Sequence, residues 1–134
     1  MNVAGYCQEW HTDFDMAKRK AAASNKNILL VFSGSDWCQP CIELEKSVWE
    51  TPEFKAEAEK HWVLLRADFP QKKGVPEPVD INDTKIILAE KFNRDGFFPF
   101  FVLLDATGRL LGKNGYEGLD TPQEYISLFR KLAR

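Results

Sequence analysis

Residues 28–41 read Ile-Leu-Leu-Val-Phe-Ser-Gly-Ser-Asp-Trp-Cys-Gln-Pro-Cys, an apolar run followed by a polar loop and two cysteines. A short continuous apolar run bounded by polar turns is typical of a strand that is buried on both faces. Cys38 and Cys41 follow the loop, and Pro40 lies where a helix would begin, since an early helical N–H has no partner to lose. The stretch therefore predicts a buried strand that delivers two thiols to the first turn of a helix.

A thiol at the start of a helix is chemically special. The N-terminus of a helix carries roughly half a positive charge and several unpaired N–H groups, and these stabilise a thiolate. The spacing of three residues places both sulfur atoms on one helical face. We therefore expect Cys38 to be the exposed nucleophile and Cys41, one turn deeper, to be the resolving thiol. Trp37 is expected to form an apolar shoulder that limits water around the sulfurs.

The remaining chain alternates helices and strands. Two helix starts, 51–53 and 121–124, combine a hydroxyl cap, a proline and an acid, and 12–15 has the spacing of a capping box. The predicted helices are 16–24, 37–49, 51–61, 85–92 and 121–134; the predicted strands are 28–32, 62–68, 100–104 and 109–113; and 69–83 is a predicted loop.

This order predicts an α/β fold. Strands separated by helices favour parallel pairing with right-handed crossovers, whereas the tight turn at 105–108 makes the last two strands antiparallel. The expected architecture is a central mixed sheet flanked by helices on both faces, in three layers. The length of 134 residues fits one domain, 1–134, with 1–11 as an N-terminal extension.

The composition excludes several classes of protein. The 18 basic and 20 acidic residues give a net charge of -2, and no run of like charge is long enough for a nucleic-acid footprint. The apolar runs fall far short of the roughly 20 residues that span a bilayer, and the start lacks the basic and apolar regions of a signal peptide. Three cysteines cannot build a disulfide scaffold.

Two structural alternatives exist for the cysteine pair. Structural zinc takes four ligands, commonly from two close pairs, and the remaining Cys7, His11 and His61 form no second close pair. Two ordinary buried cysteines would leave the flanking tryptophan, the proline and the helix-start position unexplained. Cys7 itself is interpreted as a small buried or tail residue, with a regulatory disulfide to Cys38 as the alternative.

The motif Trp37-Cys38-Gln39-Pro40-Cys41 resembles the active site of the thioredoxin superfamily, commonly Trp-Cys-Gly-Pro-Cys. Gly96-Phe97-Phe98-Pro99 resembles the cis-proline loop of that superfamily. With the segments 34–36, 51–54 and 67–71, the chain resembles the exported bacterial thioredoxin-like proteins of the Dsb type, which are disulfide reductases or isomerases. The resemblance covers nearly the whole chain, from Trp10 to the end.

The resemblance implies a thioredoxin-like fold and a thiol–disulfide oxidoreductase that reduces protein disulfides, with Cys38 and Cys41 as catalytic residues and with no cofactor or metal. A cis Pro99 would bring its neighbours toward the cysteines and offer backbone groups to an extended substrate. Substrate contacts are expected from five residues: Trp37, Gln39, Pro40, Phe98 and Pro99. A disulfide isomerase or oxidase, or a redox-inert peptide-binding module, is the alternative.

The implied partners are protein substrates that carry disulfides and an upstream thiol reductant that regenerates the dithiol. Neither nucleic acid nor a membrane span is expected, and the protein is expected to be a monomer. The resemblance favours a periplasmic or otherwise exported protein whose leader is absent, whereas the chain as printed would be cytoplasmic.

The chain departs from the thioredoxin pattern at three positions. Gln39 is uncharged, whereas strongly oxidising relatives carry a histidine there, so this pair is predicted to be reducing. Val31 occupies the position of the buried aspartate that accepts a proton from the resolving cysteine; Asp36 and Glu45 are the nearest acids in sequence. The residue before the proline is the bulky Phe98, which we expect to line the substrate groove.

Overall fold

The computed structural model describes residues 8–71 and 83–133, so Cys7 and most of the predicted loop lie outside the described residues. The helices are α1 Phe14–Ser24, α2 Gln39–Leu44, α3 Pro52–His61, α4 Thr84–Phe92 and α5 Pro122–Leu132, and the strands are β1 Trp10–His11, β2 Asn27–Ser33, β3 Trp62–Asp68, β4 Phe100–Leu104 and β5 Leu110–Gly115. A π-helical turn, Glu45–Trp49, continues α2.

The five strands form one mixed sheet in the order β1-β3-β2-β4-β5. The strands β1 and β2 both run parallel to β3, and β4 pairs antiparallel with β2 and β5. The apolar strand β2 therefore lies at the centre, as the predicted fold requires. In the ladder Phe32 lies opposite Phe100, so the loop that follows β2 and the loop that precedes β4 meet at one end of the sheet.

The sheet separates two apolar cores because alternate side chains point to opposite faces. Leu29 and Val31 belong to the core under α2, α3 and α5, whereas Ile28, Leu30 and Phe32 belong to the core under α1 and α4. All five side chains are at most 1% exposed. The prediction of a central strand buried on both faces, with helices above and below the sheet, is confirmed.

Two of the three helix N-caps predicted from the sequence are confirmed. Thr51 caps α3, and Thr121 caps α5 in a reciprocal capping box with Glu124. At α1 the predicted cap was wrong, since the cap is Asp13 and not Thr12. The carboxylate of Asp13 accepts the N–H groups of residues 15 and 16 at 2.9 and 3.3 Å, which satisfies two orphan donors of the first turn.

The sequence did not predict β1. This strand has two residues, and it is held by pairing with β3, where Trp10 lies opposite Leu64. Such a short strand carries no periodicity of its own, and its partner is distant in sequence. The last strand also runs further than predicted, to Gly115, which lies opposite Phe100 beside the cysteine end of the sheet.

Candidate active site

The two cysteines of the motif form a disulfide at the start of α2. Cys38 is the N-cap residue, with extended backbone, and its sulfur accepts the backbone N–H of Cys41 at 3.3 Å. The Cα atoms of the pair are 5.2 Å apart, within the usual range for a disulfide. The expected placement of both sulfurs on one helical face is confirmed. When the pair is reduced, the same N–H is positioned to stabilise a Cys38 thiolate.

The expectation that Cys38 is exposed was wrong for this disulfide form of the protein. Cys38 is 4% exposed and Cys41 is 5% exposed, so burial does not distinguish the two. The reason is local: Cys38 caps the helix, and its sulfur turns inward onto the first helical turn. What distinguishes the cysteines is their position, since Cys38 accepts a hydrogen bond from the helix start and Cys41 lies one turn further in.

The loop between β2 and α2 is fastened to the end of β3. Asp68 accepts two hydrogen bonds from Ser35, from the backbone N–H at 2.9 Å and from the hydroxyl at 2.6 Å. Trp37 donates its indole N–H to the carbonyl of Phe69 at 2.6 Å. These contacts link the cysteine loop to the C-terminal end of the buried strand β3, so the sheet fixes the geometry of the loop.

The loop before β4 completes the site. The Phe98–Pro99 peptide bond is cis, which confirms the expected geometry of the loop. The Phe98 ring packs edge-to-face against both Trp37 and Phe69, each at 5.5 Å between ring centroids. The three aromatic rings therefore join three separate segments of the chain around the cysteine pair.

The residues predicted to contact substrate differ in accessibility. Gln39 is exposed, Trp37, Pro40 and Phe98 are half-buried, and Pro99 is buried. The structure brings the rings of Trp37 and Phe98 into direct contact. Pro99 can offer only backbone groups to a partner, because its ring is covered.

A partly exposed ion pair lies on the face of the sheet where thioredoxins carry their aspartate. Val31 fills that position, and its neighbour across the parallel ladder is Arg66. A guanidinium nitrogen of Arg66 lies 2.8 Å from a carboxylate oxygen of Glu45, and the guanidinium also stacks over Trp10 at 4.2 Å. The sequence reasoning missed Arg66, although an arginine inside an apolar strand was a usable signal.

Glu45 begins the π-helical turn directly after the cysteines. Its backbone N–H bonds to the carbonyl of Cys41, so it lies one turn further along the same helix. Burial raises the pKa of Glu45, while the nearby Arg66 opposes the rise and a hydrogen bond with Glu50 supports it. The shared hydrogen bond correspondingly lowers the pKa of Glu50. Glu45 is thus a carboxyl group that holds its proton more strongly than a solvated glutamate does.

Within residues 8–71 and 83–133 no group of three or more histidine, cysteine, aspartate or glutamate side chains is arranged to hold a metal ion. None of the helices in the same ranges has both the length and the hydrophobicity that a bilayer crossing requires.

Residues 9–106 match the sequence profile of a family described as thioredoxin-like. The chain belongs to the thioredoxin-like family. Disulfide bond reductase DsbH of Chlamydia pneumoniae is 33% identical over 115 residues, which are 86% of this chain and 67% of that protein. The thioredoxin-related protein DsbJ of the same organism is 30% identical over 112 residues, 84% of this chain and 31% of that protein. This thioredoxin-like chain therefore spans about two thirds of DsbH and about a third of DsbJ.

Solved structures agree with this assignment. The structure of DsbH oxidoreductase superposes with a TM-score of 0.76 at 26% identity, over 99% of this chain and 91% of that chain. A thioredoxin from Thermus thermophilus has the same fold, with a TM-score of 0.66 at 19% identity over 92% of this chain and 85% of that one. The resemblance to Dsb-type thioredoxin-like proteins, stated above from the motifs, is confirmed.

Proposed function

We propose that this protein is a thiol–disulfide oxidoreductase that reduces disulfides of protein substrates. The observation that carries the proposal is the Cys38–Cys41 disulfide at the start of a helix, with the Cys38 sulfur accepting a backbone N–H. A reversible dithiol pair in this position can exchange two electrons without a bound cofactor. The similarity to a protein named disulfide bond reductase supports the same direction of exchange.

The reaction has two exchange steps. The Cys38 thiolate attacks one sulfur of a substrate disulfide, which breaks that bond, forms a mixed disulfide and releases the other substrate sulfur as a thiolate. Cys41 then loses its proton and attacks the Cys38 sulfur. This second step releases the reduced substrate and leaves the Cys38–Cys41 disulfide. Two electrons have passed to the substrate, and a thiol reductant must return two electrons to the pair.

Glu45 is the group we assign to accept the proton of Cys41. Glu45 lies one helical turn beyond Cys41, and burial raises its pKa, so its carboxylate is a stronger base than that of a solvated glutamate. The positive charge of Arg66 favours the carboxylate form of Glu45 and so opposes this rise. The pair occupies the face where Val31 leaves no acid, so the proton acceptor comes from the helix instead of from the strand.

The groove around the pair is the place where substrate would bind. Trp37 and Phe98 offer two aromatic walls, and Gln39 and Pro40 form the exposed surface of the first helical turn. The backbone at Pro99 offers hydrogen-bonding groups to an extended segment of substrate. Gln39 is uncharged, so it does not stabilise the Cys38 thiolate as a histidine at this position would. Without that stabilisation of the reduced form, the pair is expected to be reducing.

We place the protein in the periplasm or another exported compartment, acting as a monomer with a thiol reductant upstream. The similarity to DsbH and DsbJ supports this placement, and a cytoplasmic reductase with the same chemistry is the alternative.

The decisive experiment is the reduction of insulin by dithiothreitol, with and without the protein. Wild type is expected to accelerate precipitation, and Cys38→Ser is expected to abolish the acceleration. Cys7→Ser is the matched control, because it changes a cysteine outside the pair, and it should keep full activity. Cys41→Ser should instead accumulate a mixed disulfide with substrate, visible on a non-reducing gel. Equal acceleration by wild type and Cys38→Ser would refute the proposal.

The direction of exchange is tested by the potential of the pair against glutathione. A value near -270 mV, about that of thioredoxins, supports a reductase, whereas a value near -120 mV identifies an oxidase. Refolding of scrambled ribonuclease separates a reductase from an isomerase, since only an isomerase restores its activity without net reduction.

A further inference from the structure

An open groove of about 910 Å³ lies beside the cis-proline loop. It runs between the C-terminal end of α4, the loop at 93–97 and the end of β5, and Trp37 is not among the residues that line it. The reaction proposed above uses none of these surfaces. Because Gly115 at the end of β5 lies opposite Phe100 in the sheet, the groove is at the same end of the sheet as the cysteines.

Phe97 presents an exposed ring to this groove. The ring is 55% exposed, and its inner edge contacts Phe100 at 5.8 Å between centroids. The backbone of Phe97 is clamped by the buried side chain of Asn93, which donates to its carbonyl at 2.9 Å and accepts its N–H at 3.0 Å. A large apolar ring is therefore held in water by a specific pair of hydrogen bonds, as is expected of a ring that packs against a partner.

The rim of the groove is predominantly basic. Lys91, Arg94 and Lys113 line it together with one acid, Asp95. Arg94 makes an exposed pair with Glu90 at 3.5 Å, whereas no ion pair among the described residues involves Lys91 or Lys113. This local charge opposes the overall net charge of -2. The basic rim would therefore attract an acidic segment to the groove, although the protein as a whole carries a negative net charge.

Phe97 and Phe98 are adjacent residues of one loop that contact different rings. Phe98 contacts Trp37 beside the cysteines, and Phe97 contacts Phe100 in the groove. Because these residues are adjacent, a substrate strand beside Phe98 can also contact Phe97 within a few residues, at about 3.3 to 3.6 Å per residue. We propose that the groove is a docking subsite for the segment flanking the substrate's disulfide, and that it prefers an apolar residue followed by acidic residues. This inference rests on the oxidoreductase function proposed above.

The test uses two disulfide-bonded peptides that are identical except for the flank, which is leucine followed by glutamates in one and leucine followed by lysines in the other. Wild type is expected to reduce the glutamate peptide with about tenfold higher kcat/KM at low salt, since several rim charges contribute together. Lys91→Glu/Lys113→Glu should reverse the preference. Phe97→Ser should lower kcat/KM on both peptides several-fold.

Two controls isolate the groove. Lys20→Glu/Lys131→Glu makes the same change in net charge at exposed positions outside the groove and should keep the wild-type preference. Bis(2-hydroxyethyl) disulfide is too small to reach the groove, so all these variants should reduce it at the wild-type rate. Equal rates of wild type on both peptides, or a reversal by the control variant, would overturn the docking proposal. Failure of wild type on the small disulfide would instead overturn the oxidoreductase function itself.

Discussion

Gly34 is the position where one added methyl group tests how the cysteine loop is held. An alanine Cβ at this position would lie 2.5 Å from both Cζ2 and Nε1 of Trp37, far inside van der Waals contact. The backbone cannot move away easily, because residue 34 is buried and its carbonyl accepts the N–H of Cys38 at 2.8 Å. Gly34→Ala must therefore displace the indole ring of Trp37 from its position.

The cost follows from the contacts that the ring loses. Its hydrogen bond to the carbonyl of Phe69, at 2.6 Å, contributes about 0.5–1.5 kcal/mol. Its edge-to-face contact with Phe98 contributes about as much again. Alanine offsets part of this loss, about 0.4–1 kcal/mol, because it restricts the unfolded chain. The net expectation is a destabilisation of about 1–2 kcal/mol, which lowers the Tm of a domain of this size by about 3–8 °C.

Thermal unfolding of the oxidised protein measures this effect, and insulin reduction measures its consequence for the site. Gly115→Ala is the matched control, since its new Cβ meets Phe100 at an ordinary 3.9 Å and its Tm should stay near that of wild type. Gly34→Ala should also reduce insulin more slowly, because Trp37 no longer forms a wall of the groove. Equal melting and equal rates for the two alanine variants would refute the claim that the indole is fixed against residue 34.

Three further perturbations test a proton acceptor, a loop anchor and a buried phenol. Glu45→Gln should slow resolution of the mixed disulfide by about 100-fold. In stopped-flow measurements, the wild-type rate of resolution should fall as the pH drops through the raised pKa of Glu45. The same pH profile in the variant would exclude Glu45 as the proton acceptor. Asp68→Ala removes both exposed hydrogen bonds of Ser35 and should cost about 0.5–1.5 kcal/mol in urea unfolding, whereas Ser35→Ala, which keeps the backbone bond, should cost less. Burial raises the pKa of Tyr125 to about 12, so the neutral phenol is favoured in the folded state. Its stabilisation is complete below pH 10 and is lost between about 10 and 12, so Tyr125→Phe should flatten that alkaline decline, and parallel declines would contradict this.

The elements that could be predicted from the sequence are those whose signals are local. The buried strand β2 is an uninterrupted apolar run, and the threonine–proline starts of α3 and α5 satisfy their helix ends with neighbouring residues. The spacing of Cys38 and Cys41 fixes their relation within one helical turn. The strand β1 could not be predicted in the same way, because its two residues form a strand only through their pairing with β3.

The same distinction separates the predicted from the missed parts of the site. The cysteines, Trp37 and the cis-proline loop are contiguous motifs, and each was recognisable alone. The charged partners of the site come from different elements: Arg66 from a neighbouring strand and Glu45 from the π-helical turn, and they meet at 2.8 Å only in the folded chain. A π turn inserts one residue into a helix without a distinctive sequence, so the direction of the Glu45 side chain could not be read from spacing.

In the proposed mechanism, Val31 stands where thioredoxins carry an acid, and Glu45 supplies the proton acceptor from the helix. A carboxyl on the central strand would be fixed by the sheet, whereas Glu45 lies on the helix that carries the cysteines and moves with them. Arg66, lying next to Val31 in the ladder, supplies the charge that holds this carboxyl over the sheet. Introducing Val31→Asp should therefore partly restore resolution in Glu45→Gln, because the new acid would lie next to the same arginine. A double variant as slow as Glu45→Gln alone would show that the helix position of the acid is essential.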